Sequence, residues 1–182
     1  AAGIWKYHEP RAGGMRLHEG AFDAFRELIE IARSRGLELI FFLTPNHAYD
    51  DYYLEAEGGW GTVAQWLARV SAQATVYTFS QPNAWVYEPV RKGMRYWNDP
   101  YHYSLEMGAE MQRALAGAGS SDAPENFSMR MTPDQVDAHI ALRRQAIARW
   151  AAANPDFVAK FKEERRKWEV RYANSPRVKP GP

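Results

Sequence analysis

A helical pattern followed by a short apolar run occurs between Gly20 and Leu43, and the same order returns between Trp60 and Phe79. This repeat limits the possible folds more than any other feature. In the first copy Phe22, Phe25, Leu28, Ile29 and Ala32 recur at steps of three and four, which marks one face of a helix. Gly36 follows as a stop. Leu37 to Leu43 is then apolar except for Glu38, and Thr44-Pro45-Asn46 ends it. In the second copy Trp60, Val63, Trp66, Leu67 and Val70 keep helical spacing, and Ala74 to Phe79 reads as a strand. Helices alternating with apolar strands are the repeating unit of a parallel α/β sheet, whose strands are covered on both faces.

Only two strands are secure, and an independent parallel sheet usually needs roughly four or more. The N-terminal strands are therefore expected to be missing, supplied by sequence before Ala1 or by another chain. Gly3-Ile4-Trp5-Lys6-Tyr7 is a further short strand candidate. A long loop, Ser80 to Tyr103, leads to a helix from about Ser104 to Leu115, with Ser104 as N-cap and Glu106 favouring its start. The α/β domain thus spans 1–117. Gly and Ser residues open a linker over 118–131.

The character then changes. Thr132-Pro133-Asp134-Gln135 is a capping box with Pro at the first helical position. The helix it starts runs to about Ala153, with Val136, Ile140, Ile147 and Trp150 among its apolar positions. Asn154-Pro155 starts another, to about Ala173, carrying Phe157, Val158, Phe161, Trp168 and Val170. Residues 132–174 form a helical hairpin that packs on the domain or takes a protein partner. Residues 175–182, rich in Pro, are expected to be a disordered tail.

Bulk charge removes one class of function. The formal net charge is +1, which does not fit a strongly basic nucleic-acid binder. The run Lys160 to Lys167 mixes signs and pairs Glu163 with Lys167 at i,i+4, as on a solvated helix face. Absence of Cys excludes disulfides, thiolate zinc sites and Cys nucleophiles. No apolar run reaches the roughly 20 residues of a membrane span, so any anchor would lie upstream of Ala1.

The chemistry concentrates in Asp99-Pro100-Tyr101-His102. A carboxylate three residues before an imidazole, in a turn ahead of a helix, can fix one ring nitrogen so that the other accepts a proton. Pro100 keeps Asp99 out of helical geometry and favours a defined turn. The turn also follows the second strand, and ligands of open α/β sheets bind beyond the carboxyl ends of strands. His47, with Asp50 and Asp51 close behind, is either a substrate contact or metal ligand, or part of a solvated polar loop; the solvated loop is the plainer reading. The five His are scattered without zinc-site spacing. Ser80 lacks the Gly-flanked elbow of a nucleophile and reads as a turn cap. Arg91, Lys92 and Arg95 suit an anionic sugar or a solvated face. Aromatic residues are 14% of the chain and many fall in expected loops, suited to a sugar cleft, an interface or a shallow core.

The block from Asp99 to Gly108 resembles the last sequence block of the SGNH (GDSL-type) hydrolase superfamily, D-x-x-H followed by an apolar residue, Ser, and a Gly four positions later. The helix–strand–helix–strand order before it resembles the C-terminal half of that fold, a three-layer, flavodoxin-like parallel sheet. The likeness covers about residues 20–117. Its aromatic-rich loops are most similar to the SGNH-like enzymes of polysaccharide O-acetylation and cell-wall D-alanylation. The resemblance implies an esterase or O-acyltransferase acting on acyl, chiefly acetyl, esters of carbohydrate outside the cytoplasm. His102 would be the base and Asp99 its orienting acid, with no metal or organic cofactor required. Trp60, Trp85, Trp97, Tyr101 and His47 would contact substrate. The family's Gly-Asp-Ser block has no counterpart here, so the nucleophile would lie outside this chain. The alternative is a non-catalytic glycan- or protein-binding module derived from the same fold.

Overall fold

In the computed structural model, which describes residues 15–118 and 122–173, the first apolar run becomes the edge of a small sheet. Helix α1 (Glu19–Ser34) buries Phe22 and Ala32 and ends where Gly36 takes φ +65°, a conformation only glycine adopts without strain. The Leu37 N–H then donates back to the Ala32 carbonyl at 2.9 Å, closing the helix end. Strand β1 (Phe41–Leu43) follows, then α2 (Ala48–Ala56), α3 (Trp60–Ser71) and β2 (Val76–Thr78). β1 and β2 are parallel, with Phe41 opposite Val76 and Leu43 opposite Thr78.

A two-stranded hairpin comes next, β3 (Trp97–Asp99) against β4 (His102–Tyr103), and then α4 (Leu105–Leu115). Ser104 caps α4 by accepting from the Met107 N–H at 3.2 Å. Strand β5 (Met129–Met131) pairs antiparallel with β2, giving the order β1-β2-β5. A short 3-10 turn, Pro133–Gln135, leads into α5 (Val136–Ala153), and α6 (Pro155–Ala173) completes the described chain. The capping box at Thr132 forms reciprocally with Gln135. The molecule is mixed α/β, with six helices and a mixed three-stranded sheet among the described residues. None of those helices is long and apolar enough to cross a membrane.

Three expectations need correction. The polar stretch from His47 to Asp51 is not a solvated loop, because it opens α2. The helix's apolar residues are interleaved with Asp and Glu, of which Asp51 is buried and Glu55 pairs with Arg144. The 118–131 segment does not stay a linker: it ends in β5, and Phe127 within it is buried. The sheet is therefore mixed and not wholly parallel. The short strand candidate at residues 3–7, the linker residues 119–121 and the tail at 175–182 lie outside the described residues.

Two cores result. Phe22, Leu67, Val70, Val76, Met131 and Val136 fill the space between the sheet and α1, α3 and α5. Phe79, Trp85, Trp97, Met107, Met111 and Phe127 fill a second, under the hairpin. The C-terminal helices pack on α2 through aromatic rings: Tyr49 lies 4.1 Å from Phe157 and Tyr52 5.1 Å from Phe161, centroid to centroid. Arg144 holds Glu55 with two bonds of 3.0 and 3.1 Å, and Arg165 reaches the Ala56 carbonyl at 2.9 Å. The hairpin of helices thus packs on the domain.

Candidate functional site

The turn between β3 and β4 is held from beneath. Trp97 is 2% exposed and donates its indole N–H to the Trp85 carbonyl at 2.8 Å. Tyr96 stacks on Trp85 with centroids 4.1 Å apart. The buried Glu88 carboxylate accepts from the Arg95 and Tyr96 N–H groups at 2.9 and 2.8 Å. The Ser104 N–H donates to the Tyr96 carbonyl at 2.8 Å. A long loop is thereby given a fixed floor.

On that floor Asp99 divides its two oxygens. Oδ1 accepts from the Tyr101 and His102 N–H groups at 2.8 and 3.0 Å, an Asx turn. Oδ2 lies 2.8 Å from His102 Nδ1. With the proton on Nδ1, the imidazole donates to Asp99 and Nε2 is left as an acceptor. No described residue bonds to Nε2, and the His102 side chain is 68% exposed. Partial burial raises the Asp99 carboxyl. The His102 hydrogen bond, the two turn N–H groups and the imidazole charge outweigh that burial and leave the carboxyl below its ordinary range.

A second polar cluster stands behind the pair, in the first turn of α2. Asp51 is wholly buried and its Oδ1 pairs with Arg143 Nη2. Arg143 Nε also donates to Asp51 Oδ2 at 3.3 Å, and the Tyr87 hydroxyl donates to the same oxygen at 2.9 Å. Arg143 lies 4.9 Å from the Trp60 ring centre. Burial, followed by the Asp51 charge, drives the Tyr87 hydroxyl far above its ordinary value. Asp50, beside this pair, is raised to about 7, chiefly by burial; the Asp51 and Asp99 carboxylates add to the rise, and Arg143 opposes it. Among the described residues no three His, Asp or Glu side chains converge as a metal site.

Several sequence expectations are revised here. His47 is 1% exposed, so it neither contacts substrate nor belongs to a solvated loop. It caps α2: Nδ1 accepts from the Tyr49 N–H at 3.2 Å and Nε2 donates to the Glu88 carbonyl at 2.8 Å. Burial keeps the ring's pKa below its ordinary value, against the Glu88 carbonyl bond and the charges of Asp51 and Glu88. Trp60, Trp85 and Trp97 are at most 8% exposed and belong to the cores, because their rings floor the loops and do not line a rim. Tyr101 is half-buried, and its backbone N–H serves Asp99. Ser80 is a buried turn residue whose hydroxyl donates to the Thr44 carbonyl at 2.9 Å. Arg95 is held by Glu106 at 3.1 Å, while Arg91 and Lys92 are exposed.

Beyond the carboxyl end of β1 lies a cavity of about 480 Å³, lined by Thr44, Asn46, Thr62, Ser80 and Arg143 among others. Asp99 and His102 are not part of its lining. Arg143 and Tyr87 carried no local signal in the sequence. Arg143 reaches Asp51 across 92 residues, and a charged residue on a long helix reads as solvated until its partner is known. No family model, no curated protein and no solved structure matches this chain.

Proposed function

We propose that Asp99 and His102 are the orienting acid and the general base of an SGNH-type esterase or O-acyltransferase. Its substrate class is acyl, chiefly acetyl, esters of carbohydrate. The finer fold belongs to this reading too: the three-layer parallel sheet of that superfamily, with its first strands supplied from outside residues 1–182. So does an extracytoplasmic setting.

One observation carries the proposal. The 2.8 Å bond between Asp99 Oδ2 and His102 Nδ1 is made by a carboxylate whose other oxygen is committed to the turn. That division fixes the ring tautomer and leaves Nε2 open to solvent, as a base for a hydroxyl requires.

The chemistry follows. His102 Nε2 takes the proton of a serine hydroxyl as its oxygen attacks the ester carbonyl. Asp99 stabilises the imidazolium so formed. The tetrahedral adduct collapses, and the departing alkoxide takes the proton from Nε2. Water or a sugar hydroxyl, deprotonated by the same nitrogen, then attacks the acyl-enzyme, and the serine oxygen leaves and takes the proton back from Nε2. Water gives hydrolysis and the sugar gives transfer. In this reading the serine is supplied from outside residues 1–182; Ser80 and Ser104, the two nearest the strand end and the Asp99 turn in sequence, are committed to backbone groups.

The test is p-nitrophenyl acetate turnover by the full-length protein. His102→Ala lowers kcat/KM by about 10²–10⁴-fold, the usual range for a lost general base. Asp99→Asn lowers it in the same direction and alters the pH–rate profile. The same rate with and without the imidazole would remove His102 from the mechanism.

A further inference from the structure

The Asp99–His102 pair does not hold itself in place. The His102 and Asp99 side chains are 68% and 48% exposed, and an exposed pair contributes little to fixing its own geometry. The strands that carry it, β3 and β4, are three and two residues long and pair only with each other among the described residues. A lone two-stranded hairpin is marginal in water. The separation of 2.8 Å between Asp99 Oδ2 and His102 Nδ1 therefore depends on what anchors the hairpin's backbone.

Glu88 reaches both sides of that joint. Its backbone carbonyl accepts from His47 Nε2 at 2.8 Å, and His47 is the N-cap of α2. Its carboxylate accepts from the N–H groups of Arg95 and Tyr96, one oxygen to each, at 2.9 and 2.8 Å. One residue thus ties α2 to the chain entering β3. The tie continues through Tyr96, whose carbonyl accepts from the Ser104 N–H at 2.8 Å and closes the hairpin at its open end. The His47 ring also meets Trp97 of β3 edge-on, with centroids 5.2 Å apart.

The tie demands a carboxylate. Two adjacent N–H donors need two acceptors, and a glutamine of the same shape offers one acceptor and an NH2 group that would face an N–H. Glu88 is 8% exposed, so a mismatched amide could not turn to water without opening the loop. Bonds to an ionised acceptor are also short and strong. A residue that merely filled space here would need neither the charge nor the second oxygen.

We propose that Glu88 is a positioning residue: by fixing the backbone of Arg95 and Tyr96 against α2, it sets Asp99 where its second oxygen meets His102 Nδ1. It makes no bond to either side chain of the pair. Its effect on a rate rests on the esterase reading; its effect on the ring does not.

The test reads the tautomer of His102 from the nitrogen NMR shifts of its ring in the full-length protein, at pH 8, where an ordinary imidazole is neutral. His102→Ala assigns the signal. The wild-type ring is expected to carry its proton on Nδ1. Glu88→Gln is expected to stay folded, and that form to give way toward the mixture seen in Asp99→Ala. In p-nitrophenyl acetate turnover the same variant lowers kcat about 10–10²-fold and leaves KM unchanged, as a displaced base does. A folded Glu88→Gln protein that is less stable but keeps the Nδ1–H form would overturn the proposal, since a merely structural role moves stability alone. If Glu88→Gln does not fold, His47→Asn decides by the same reading, because it cuts the tie at its other end and keeps a good N-cap for α2. Loss of the Nδ1–H form in a protein whose wild type cleaves no ester would uphold the tie and sink the esterase reading alone.

Discussion

The carboxyl end of the sheet and its β1 edge are finished in opposite ways. At the carboxyl end the long loop and α2 are closed by paired polar groups: Asp51 with Arg143 and Tyr87, Glu88 with two backbone N–H groups, His47 with a carbonyl. Beyond β1 there is apolar surface and an open backbone edge. A buried polar network specifies one arrangement, because each member left unpaired is costly. An open apolar edge specifies only a kind of partner. The first margin can therefore hold Asp99 and His102 at a fixed separation in this chain alone. The second waits on something else.

The hardest blow to the first margin is removal of one member of its buried ion pair. Asp51→Ala leaves the Arg143 guanidinium buried without its carboxylate, so a loss of about 3–5 kcal/mol is expected in urea unfolding. The double variant Asp51→Leu/Arg143→Met removes both charges and recovers much of that loss, since apolar isosteres replace buried pairs at little net cost. If the double variant is no more stable than Asp51→Ala, the pair is not the element that joins α2 to α5.

His139 gives the next largest effect, and it depends on pH. The ring is 3% exposed, and neither nitrogen finds a partner among the described residues. Burial, and then the Arg143 charge, lower it to about 4 from 6.5. Folded His139 thus stays neutral while the unfolded chain binds a proton below pH 6.5. Its contribution is fully present above pH 6.5 and is lost as pH falls toward 4, a loss of roughly 3 kcal/mol. His139→Leu should flatten this acid limb in unfolding curves taken at pH 7 and pH 4.5. An unchanged limb would place the acid sensitivity elsewhere, with His47, which is lowered by burial in the same sense.

The sequence was legible where one residue acts locally. The spacing of Phe22 to Ala32 marked α1, Gly36 its end, Thr132 and Gln135 the cap before α5, and the Asp99 turn its bond to His102. It was opaque where a residue's role depends on distant chain. Trp60, Trp85 and Trp97 looked like a sugar-binding rim, yet each covers a core assembled from other segments. His47 looked solvated because its neighbours are acidic, yet Glu88, 41 residues on, closes over it. Strand β5 was hidden because its three residues carry too little periodicity to be seen.

The smallest effect is predicted at the second margin, and it sharpens the contrast most. Phe42 is a large aromatic in the middle of a strand, where truncation would ordinarily cost about 3–5 kcal/mol. It is 44% exposed here, and its ring meets that of Phe79 edge-on with centroids 6.3 Å apart. Phe42→Ser should therefore cost the chain only about 1–2 kcal/mol, between the ranges for surface and core substitutions. Thermal melts of the two chains check it. A large loss in the isolated chain would mean that the edge is already closed, and the two margins would no longer differ.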